Sequence, residues 1–468
     1  MSKLLEGPII TSLLTLAVPI VLANILQTAY QLTDAFWVGR LGGAAVAAVS
    51  VSFPVSFLLI SLGGGLAIAG STLIAQYTGA KNESMVSHVA GQTLLMVSVV
   101  SVALGIIGYM LAPGILRLMG VGTDVYTDAL GFMRVSFVGI LFTFITIMFQ
   151  SIMRGIGKAT LPMYIVLVTV VLNFVLDPFF IFGWGGFPAY GVAGAALATF
   201  VTQALAAIAA LVVLFGGRHG IHLKVQDFKP DWPFMRKAFL LGLPASIEQS
   251  ARALSMTVMT FLITSFGTLA IAGYGVGSNV IQLVIIPSLG LSMAVAALVG
   301  QNIGAGNLKR AEDIARLGAA ISFVALSVIG LVSYVFAPQI MRFFVPGDAA
   351  TIAVGVSFVH TVALTFGFIG VQMALLGVFR ASGNMMTTMI LTLVSQWVLQ
   401  FPLAYILSKH TSLGVNGIWW AFPLTNILTT AITVIWYMKG DWKNKKLTKE
   451  EKFEEAVTEE IFVEEGVR

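Results

Sequence analysis

The fold of this chain is decided by a stretch that occurs twice, GGGLAIAGSTLIAQYTGAKN at residues 63–82 and SLGLSMAVAALVGQNIGAGN at residues 288–307. Working outward, residues 16–82 align without a gap to residues 241–307 and are identical at eighteen positions, always 225 residues apart. The identical pairs in the quoted stretch include Gly65 with Gly290, Gln76 with Gln301, Gly79 with Gly304, and Asn82 with Asn307. We therefore interpret the chain as an internal duplication of two similar halves.

The composition predicts a protein that crosses a membrane many times. Hydrophobic residues make up 57% of the chain, charged residues only 10%, and the mean hydropathy is +0.93, far more apolar than a soluble domain. A hydrocarbon layer of ~30 Å needs about 20 helical residues per crossing. Twelve apolar stretches are long enough, and they are centred near residues 24, 62, 98, 140, 171, 202, 249, 284, 323, 365, 396 and 426.

These counts predict an all-α membrane protein with twelve transmembrane helices in two pseudo-twofold-related six-helix lobes around a central cavity. An even number of helices per repeat makes both halves cross in the same direction, which places the symmetry axis along the membrane normal. The predicted parts are an N-terminal lobe at 1–215, a cytoplasmic linker at 216–233, a C-terminal lobe at 234–438 and a charged cytoplasmic tail at 439–468. In the linker, His219 and His222 lack a third metal ligand nearby, so we interpret them as solvated loop residues.

Lysine and arginine residues predict the orientation, because positive loops stay on the cytoplasmic side. With a cytoplasmic N-terminus, most Lys and Arg residues of the loops lie inside, and only Arg40, Arg117, Arg342 and Lys409 lie outside. We expect a multi-pass plasma-membrane protein with both termini cytoplasmic. The net charge of +5 follows from this topology and from lipid headgroups, so no nucleic-acid partner is expected. Cysteine is absent, which excludes disulfides and thiolate metal sites.

A polar stripe runs along the first apolar stretch and ends in a carboxylate. Its members are Asn24, Gln27, Gln31 and Asp34, whose spacing puts them on one face of a helix at about 100° per residue. A charged Asp inside a membrane costs roughly 2.5–3.5 kcal/mol on insertion scales, so such groups face the protein interior and serve a function. We therefore predict a functional site around Asp34.

The fifth apolar stretch carries a second stripe, in which Thr169, Asn173 and Asp177 recur every four residues. Pro178 removes a helical hydrogen bond, which predicts that the Phe174 carbonyl is free to bind a cation. The sixth stretch adds Thr199, Thr202 and Gln203. Such oxygens can hold a proton or a sodium ion, because two close carboxylates resist ionising together and a hard cation prefers oxygen ligands. For the Thr, Gln and Asn residues, hydrogen bonding between helices is the alternative.

The second half lacks this acidic site. Met259 stands at the position equivalent to Asp34, and Phe401 at the position equivalent to Asp177. The seventh apolar stretch has its own charged pair, Glu248 and Arg252, four residues apart. An internal ion pair that neutralises both groups is one interpretation; a second coupling carboxylate or substrate contact is the other.

Several motifs resemble the multidrug and toxic compound extrusion (MATE) family. They are Leu32-Thr33-Asp34, Phe36-Trp37-Val38-Gly39, Leu41-Gly42, Gln76 to Asn82, Arg154-Gly155-Ile156-Gly157 and Asn173 to Pro178. The chain is similar to the DinF-type branch, and by this resemblance Asp34, Asn173, Asp177 and Thr199 would bind the coupling ion. The tenth stretch, around residues 351–379, has no counterpart of the carboxylate that the NorM-type branch uses.

The resemblance implies a transporter and not an enzyme, which exports organic, often cationic compounds in exchange for H⁺ or Na⁺ and needs no other cofactor. We expect small organic substrates and membrane lipids as partners, and a monomer. The residues expected to line the substrate cavity are Asn24, Gln27, Tyr30, Gln31, Thr202 and Gln203. Pro19 is the expected hinge of the first helix.

Two other functions use similar parts. A flippase for lipid-linked saccharides has a related helix arrangement but usually a cationic cavity, for which Arg252 is the main candidate here. An intramembrane aspartyl protease also pairs two membrane carboxylates. Its characteristic Gly-x-Gly-Asp run is missing, since Asp177 lies in Asn-Phe-Val-Leu-Asp-Pro.

Overall fold

The computed structural model describes residues 2–217 and 220–448, without the side chains of Ser2 and Lys3. Arg218, His219 and residues 449–468 lie outside this range. His219, interpreted above as a solvated loop residue, and the glutamate-rich end of the predicted tail therefore lie outside the described residues. Within them the fold is helical and contains no strand.

The N-terminal lobe follows one short helix and consists of six long helices. These are α1 (Ser2–Glu6), then α2 (Ile9–Gly39), α3 (Gly43–Gly79), α4 (Glu83–Leu118), α5 (Thr123–Gly155), α6 (Thr160–Phe182) and α7 (Val192–Phe215). A 3₁₀ turn, Trp184–Gly186, links α6 to α7, and another, Val225–Phe228, lies between the halves.

The C-terminal lobe repeats this series with more interruptions. Its helices are α8 (Trp232–Thr264), α9 (Thr268–Gly304), α10 (Leu308–Val335), α11 (Ala337–Phe344), α12 (Ala349–Ala363), α13 (Phe366–Ala381), α14 (Met385–Leu393), α15 (Phe401–Lys409) and α16 (Val415–Lys439). A π-helical segment, Val394–Gln400, joins α14 to α15, and a 3₁₀ turn, Asp441–Lys443, follows α16. Pro402 lies just after the π-helical segment, at a point where a helical hydrogen bond is lost.

Ten spans in the described residues are long and apolar enough to cross a membrane, counting α14 to α15 as one, and the bent pair α12 and α13 makes an eleventh. The bend between α12 and α13 measures 53°. Helix α8 has 33 residues, enough to cross, but Glu248 and Arg252 lie at its middle and lower its hydropathy. The twelve predicted stretches thus correspond to these eleven spans and α8.

The duplication is visible in the backbone. Helices α3 and α9 each have 37 residues, begin after Gly42 and Gly267, and end at Gly79 and Gly304. Gly42 and Gly267 have φ of 111° and 97°, which residues with a side chain rarely adopt. The sequence repeat is therefore a repeat of helix lengths and of turn geometry.

The two lobes meet closely at the end of the molecule that carries Lys81, Arg154 and Lys309, which we call the basic end. Here Gly79 contacts the Gln301 backbone, and Gly304 contacts the Gln76 backbone in the equivalent way. The Gln76 side chain donates to the Ala381 carbonyl at 2.8 Å, and the Gln301 side chain to the Gly155 carbonyl at 2.8 Å. These reciprocal contacts hold the lobes together at this end.

The segment after α16 packs against this junction. The sequence predicted a charged tail from residue 439, but the Trp442 side chain is fully buried. The Leu447 N–H donates to Gln76 Oε1 at 2.9 Å, and Lys443 Nζ lies 2.7 Å from Glu312 Oε2. Residues 440–448 are thus part of the closed basic end.

Candidate functional site

The polar face of α2 borders a cavity of about 520 Å³ inside the N-terminal lobe. Its walls come from α2, α3, α5 and α7. Six residues singled out in the sequence line it: Gln27, Tyr30, Gln31, Asp34, Thr199 and Gln203. This cavity lies within the N-terminal lobe, since all of its lining residues belong to these four helices.

Two residues predicted to line the cavity do not. Asn24 lies one turn below Gln27, towards the level where Val21 of α2 packs against Gly290 of the other lobe. Thr202 is fully buried behind Tyr30 and forms a 2.6 Å hydrogen bond with the Tyr30 hydroxyl. Thr202 is thus covered by helix packing, whereas Asn24 is half-buried and lies outside this cavity.

Asp34 connects the cavity to the interior of the lobe. Its carboxyl group lines the cavity and accepts a 3.4 Å hydrogen bond from the Thr199 hydroxyl, across the α2–α7 contact. On its other side lie Asn173 and Asp177 of α6, near enough to interact electrostatically with the Asp34 carboxyl group. The structure therefore brings together all four residues assigned to the coupling site.

The two α6 residues lie behind Asp34, out of the cavity. Asn173 and Asp177 are fully buried, and the Asn173 amide donates to Asp177 Oδ1 at 3.3 Å. Asp34 Oδ1 and Asp177 Oδ2 are buried and accept no hydrogen bond from a protein donor. Asn173 Oδ1 is likewise a buried acceptor without a donor. Among the described residues, three neighbouring side chains therefore each keep one buried oxygen without a donor.

The chemistry of these side chains is suited to a proton or a cation. Ionised carboxylates only accept hydrogen bonds, so two of them can approach closely only when one is protonated or a cation lies between them. In a membrane interior the alternative is an unscreened repulsion between two negative charges. Amide and carboxylate oxygens are also the ligands that Na⁺ and other hard cations prefer.

The predicted free carbonyl of Phe174 is not free. Pro178 lies inside α6 as expected, but the Trp37 indole N–H donates to the Phe174 carbonyl at 3.1 Å. The carbonyl that the proline releases is thus satisfied by a side chain of α2, as buried backbone groups in membranes require. The prediction that this carbonyl lacks a partner is wrong, and the Trp37 hydrogen bond joins the end of α2 to α6.

Aromatic side chains form much of the remaining wall, and sequence reasoning did not find them. Phe53 of α3, Phe132 and Phe137 of α5, and Phe200 of α7 line the cavity with the hydroxyl of Thr143. In the sequence, a phenylalanine facing a cavity has the same spacing as one facing lipid. Only the packing of α3, α5 and α7 separates the two environments.

A second charged group occupies the C-terminal lobe. The predicted Glu248–Arg252 ion pair is present at 3.3 Å, but Arg380 of α13 reaches the same carboxylate oxygen at 2.5 Å. The sequence counted Arg380 among the cytoplasmic loop charges, whereas its side chain is only 10% exposed. Arg380 lies in the last turn of α13, where its side chain is packed inside the protein, and counting loop charges cannot detect such burial.

A family model named MatE matches the chain twice, at residues 19–179 and 244–406. The two matches begin 225 residues apart, at Pro19 and Pro244, which is the offset found in the sequence repeat. Together they cover more than half of the chain, and they place the same family fold in each half.

Relatives of known name match nearly the whole chain. A protein of Bacillus subtilis named probable multidrug resistance protein YoeA is 31% identical over 92% of this chain and 94% of the relative. A solved structure described as the outward-facing conformation of a multidrug resistance MATE family transporter has a TM-score of 0.86 at 26% identity, covering 93% of this chain and 96% of that one. Another, described as MATE in the bent conformation, has a TM-score of 0.88 at 26% identity, covering 95% and 98%.

Proposed function

Because this chain belongs to the MATE family of multidrug-resistance transporters, we propose that it exports organic compounds in exchange for protons or sodium ions by alternating access. The observation that carries the proposal is the buried group of Asp34, Asn173 and Asp177 beside the aromatic cavity that Asp34 lines. A site that must hold a proton or a cation adjoins a space large enough for a small organic molecule.

The charge of the cavity favours cationic substrates. Among the residues that line it, Asp34 is the sole charged side chain, and the rest are polar or apolar. A cation in the cavity is attracted by the Asp34 carboxylate, and the rings of Phe132 and Phe200 offer faces to which organic cations bind. A substrate and a coupling ion therefore compete for one carboxylate.

Competition between the ion and the substrate for Asp34 couples the movement of one to the movement of the other. When Asp34 holds a proton or shares a cation with Asp177 and Asn173, its charge is neutralised and an organic cation loses its main attraction. When the ion leaves, the carboxylate again attracts a substrate. A ligand moves a conformational equilibrium only by binding one state better than the other, so this exclusion is the step that couples the two flows.

We assign the chain to the DinF-type branch. The acidic site is in the N-terminal lobe, and α12 and α13 contain no carboxylate that could form the NorM-type site. We further propose a monomer in the plasma membrane, with both termini cytoplasmic, membrane lipids around it and no cofactor beyond the coupling ion.

The flippase alternative has less support in this lobe, since a saccharide-linked pyrophosphate would meet Asp34 at the wall of the N-terminal cavity. The protease alternative would require a family other than the one to which the chain belongs.

The test is transport by the purified chain in liposomes, with a pH gradient and a sodium gradient imposed separately. We expect a fluorescent organic cation such as ethidium to move against its gradient when one of the two ion gradients drives it. Absence of ethidium transport and of ion-driven exchange under both gradients would overturn the proposed function. Transport of lipid-linked saccharide without ethidium would favour the flippase.

A further inference from the structure

The C-terminal lobe contains a cavity of its own, of about 350 Å³. It is bounded by α8, α9, α13, α16 and the π-helical segment, and no residue of the acidic site reaches it. Arg252 is the sole charged residue among those that line it. The cavity of the N-terminal lobe contains a carboxylate, Asp34, as its charged lining residue, so the two cavities have opposite charge.

The cation at this cavity is not neutralised by its neighbours. One carboxylate, Glu248, faces two guanidinium groups, those of Arg252 and Arg380, which leaves one positive charge in excess. Both bond the same oxygen, Arg380 at 2.5 Å and Arg252 at 3.3 Å, so Arg380 holds Glu248 more closely. Arg252 is the more exposed of the two, at 18% against 10%.

Arg252 keeps N–H groups that do not donate to Glu248. A guanidinium offers five N–H groups, of which Arg252 uses one on Glu248, and its buried Nε has no hydrogen-bond partner. Burying an uncompensated charge inside a membrane costs free energy. An anionic ligand bound to Arg252 would neutralise the excess positive charge. A planar carboxylate, or two oxygens of a tetrahedral sulfonate or phosphate, can accept two hydrogen bonds from such a guanidinium group.

The remaining wall suits the body of an organic molecule. Tyr274, Phe366 and Phe422 supply aromatic surface. Gln396 and Gln400 come from the π-helical segment, a geometry that recurs at functional sites. The Gln396 Oε1 atom is buried without a partner, so one acceptor also remains for a ligand.

We propose that this cavity is a second binding site, which takes the anionic group of an amphipathic organic compound on Arg252. The proposal goes beyond the export function, because it concerns binding in the other lobe and can be tested in a protein that transports nothing. The anion can come from a soluble organic acid or from the headgroup of an anionic lipid, and the experiment separates these sources.

The experiment measures binding of 1-naphthoate and of the neutral 1-naphthamide to the full chain in phosphatidylcholine nanodiscs by isothermal titration calorimetry. We expect naphthoate to bind at least tenfold more tightly than the amide. Arg252→Gln should abolish this preference and Arg252→Lys should keep part of it. Arg134→Gln is the matched control, since it removes an arginine of the other lobe that lines neither cavity.

Ser278→Trp is a second variant that fills the cavity without changing its charge, and it should abolish naphthoate binding. Added phosphatidylglycerol should weaken naphthoate binding to the wild type if lipid headgroups use the site, and should leave it unchanged if soluble acids do. Equal affinity for naphthoate and naphthamide in the wild type would overturn the proposal. So would unchanged naphthoate affinity in folded Arg252→Gln or in Ser278→Trp.

Discussion

At the scale of single residues, the function proposed here depends on two carboxyl groups that meet only because α2 and α6 pack together. Neither is replaceable by its neighbours, since Thr199 and Asn173 cannot titrate. The acidic pair therefore gives the most direct test of coupling.

We expect Asp34→Asn and Asp177→Asn each to abolish ion-coupled export while leaving expression intact. An amide keeps the shape of the side chain and lowers the cost of burial, but it cannot exchange a proton. Efflux of ethidium from a drug-sensitive host, at matched protein levels, measures the effect. Asp128→Asn, a change at the start of α5 outside the cavity, is the control and should export normally. Near-normal resistance from either Asp34→Asn or Asp177→Asn would end the coupling assignment.

Trp37→Phe should lower stability by about 1–2 kcal/mol, because it leaves the Phe174 carbonyl without its hydrogen bond while keeping an aromatic ring in place. Thermal unfolding followed by fluorescence in detergent gives the comparison. Trp184→Phe is matched to it, as Trp184 packs against Trp37 but is 52% exposed. Equal melting temperatures for the two variants would show that the indole donor contributes nothing.

Glu248→Gln should lower stability by about 3–5 kcal/mol, since it leaves two buried guanidinium groups without a carboxylate. Sequence reasoning pairs Glu248 with Arg252 alone, so it predicts that Glu248→Gln with Arg252→Met restores stability. The structure predicts incomplete recovery until Arg380→Met is added, because Arg380 makes the shorter contact.

Melting temperatures of the single, double and triple variants decide between the two accounts. Full recovery in the double variant would mean that Arg380 is not paired with Glu248. Complete loss of export in a stable triple variant would give this cluster a role in transport.

At the scale of helices, the acidic site depends on where α2 carries Asp34. Pro19 lies inside this continuous 31-residue helix and removes the hydrogen bond to the Thr15 carbonyl, so bending the helix there costs little free energy. Asp34 lies fifteen residues further on, about 22 Å at 1.5 Å per residue, so a small bend moves it substantially. A charge crossing a potential of 100 mV gains ~2.3 kcal/mol, comparable to a conformational gap of a few kcal/mol.

Pro19→Ala should therefore reduce exchange while substrate binding persists, because alanine restores the helical hydrogen bond and stiffens α2. Pro244→Ala is the matched control, since Pro244 occupies the equivalent place in α8, whose lobe has Met259 in place of an acid. Spin-label distances between α2 and α6 at high and low pH report the bend. Unchanged distances together with full activity in Pro19→Ala would refute the hinge.

At the scale of the whole molecule, the lobes are closed at the basic end by the two glycines that end α3 and α9. A methyl group at Gly79 or Gly304 would collide with the backbone of the facing glutamine. Inserting a carbon into a packed contact costs about 1–3 kcal/mol. The closed state should lose that amount relative to a state in which this end is open.

We expect Gly79→Ala and Gly304→Ala to widen the distance between spin labels at Lys81 and Lys309, one in each lobe. The chain contains no cysteine, so two introduced cysteines are labelled without background. Gly275→Ala in α9 is the control, because a methyl group there meets nothing within 4 Å. Identical distance distributions in all three variants would show that the glycine contact does not hold the lobes together.

The sequence by itself determined the helical membrane fold, the duplication and the placement of the acidic groups in one lobe. Each of these can be recognised from the order of residues alone. The signals are apolar runs of membrane length, a constant offset of 225 residues, and polar residues three or four apart on one face. The face that bears Asp34 and the face that bears Asp177 both follow from helical periodicity, which is fixed by the backbone alone.

Only the tertiary structure decided which of these faces meet and what covers them. In it the Trp37 indole bonds the Phe174 carbonyl, Arg380 pairs with Glu248, Thr202 is buried against Tyr30, and each lobe contains a cavity. The physical reason is that lipid-facing and cavity-facing residues have the same apolar pattern, so spacing cannot tell them apart. Contacts between residues far apart in the chain depend on helix packing angles and bends, such as the 53° break before α13, which local sequence does not encode.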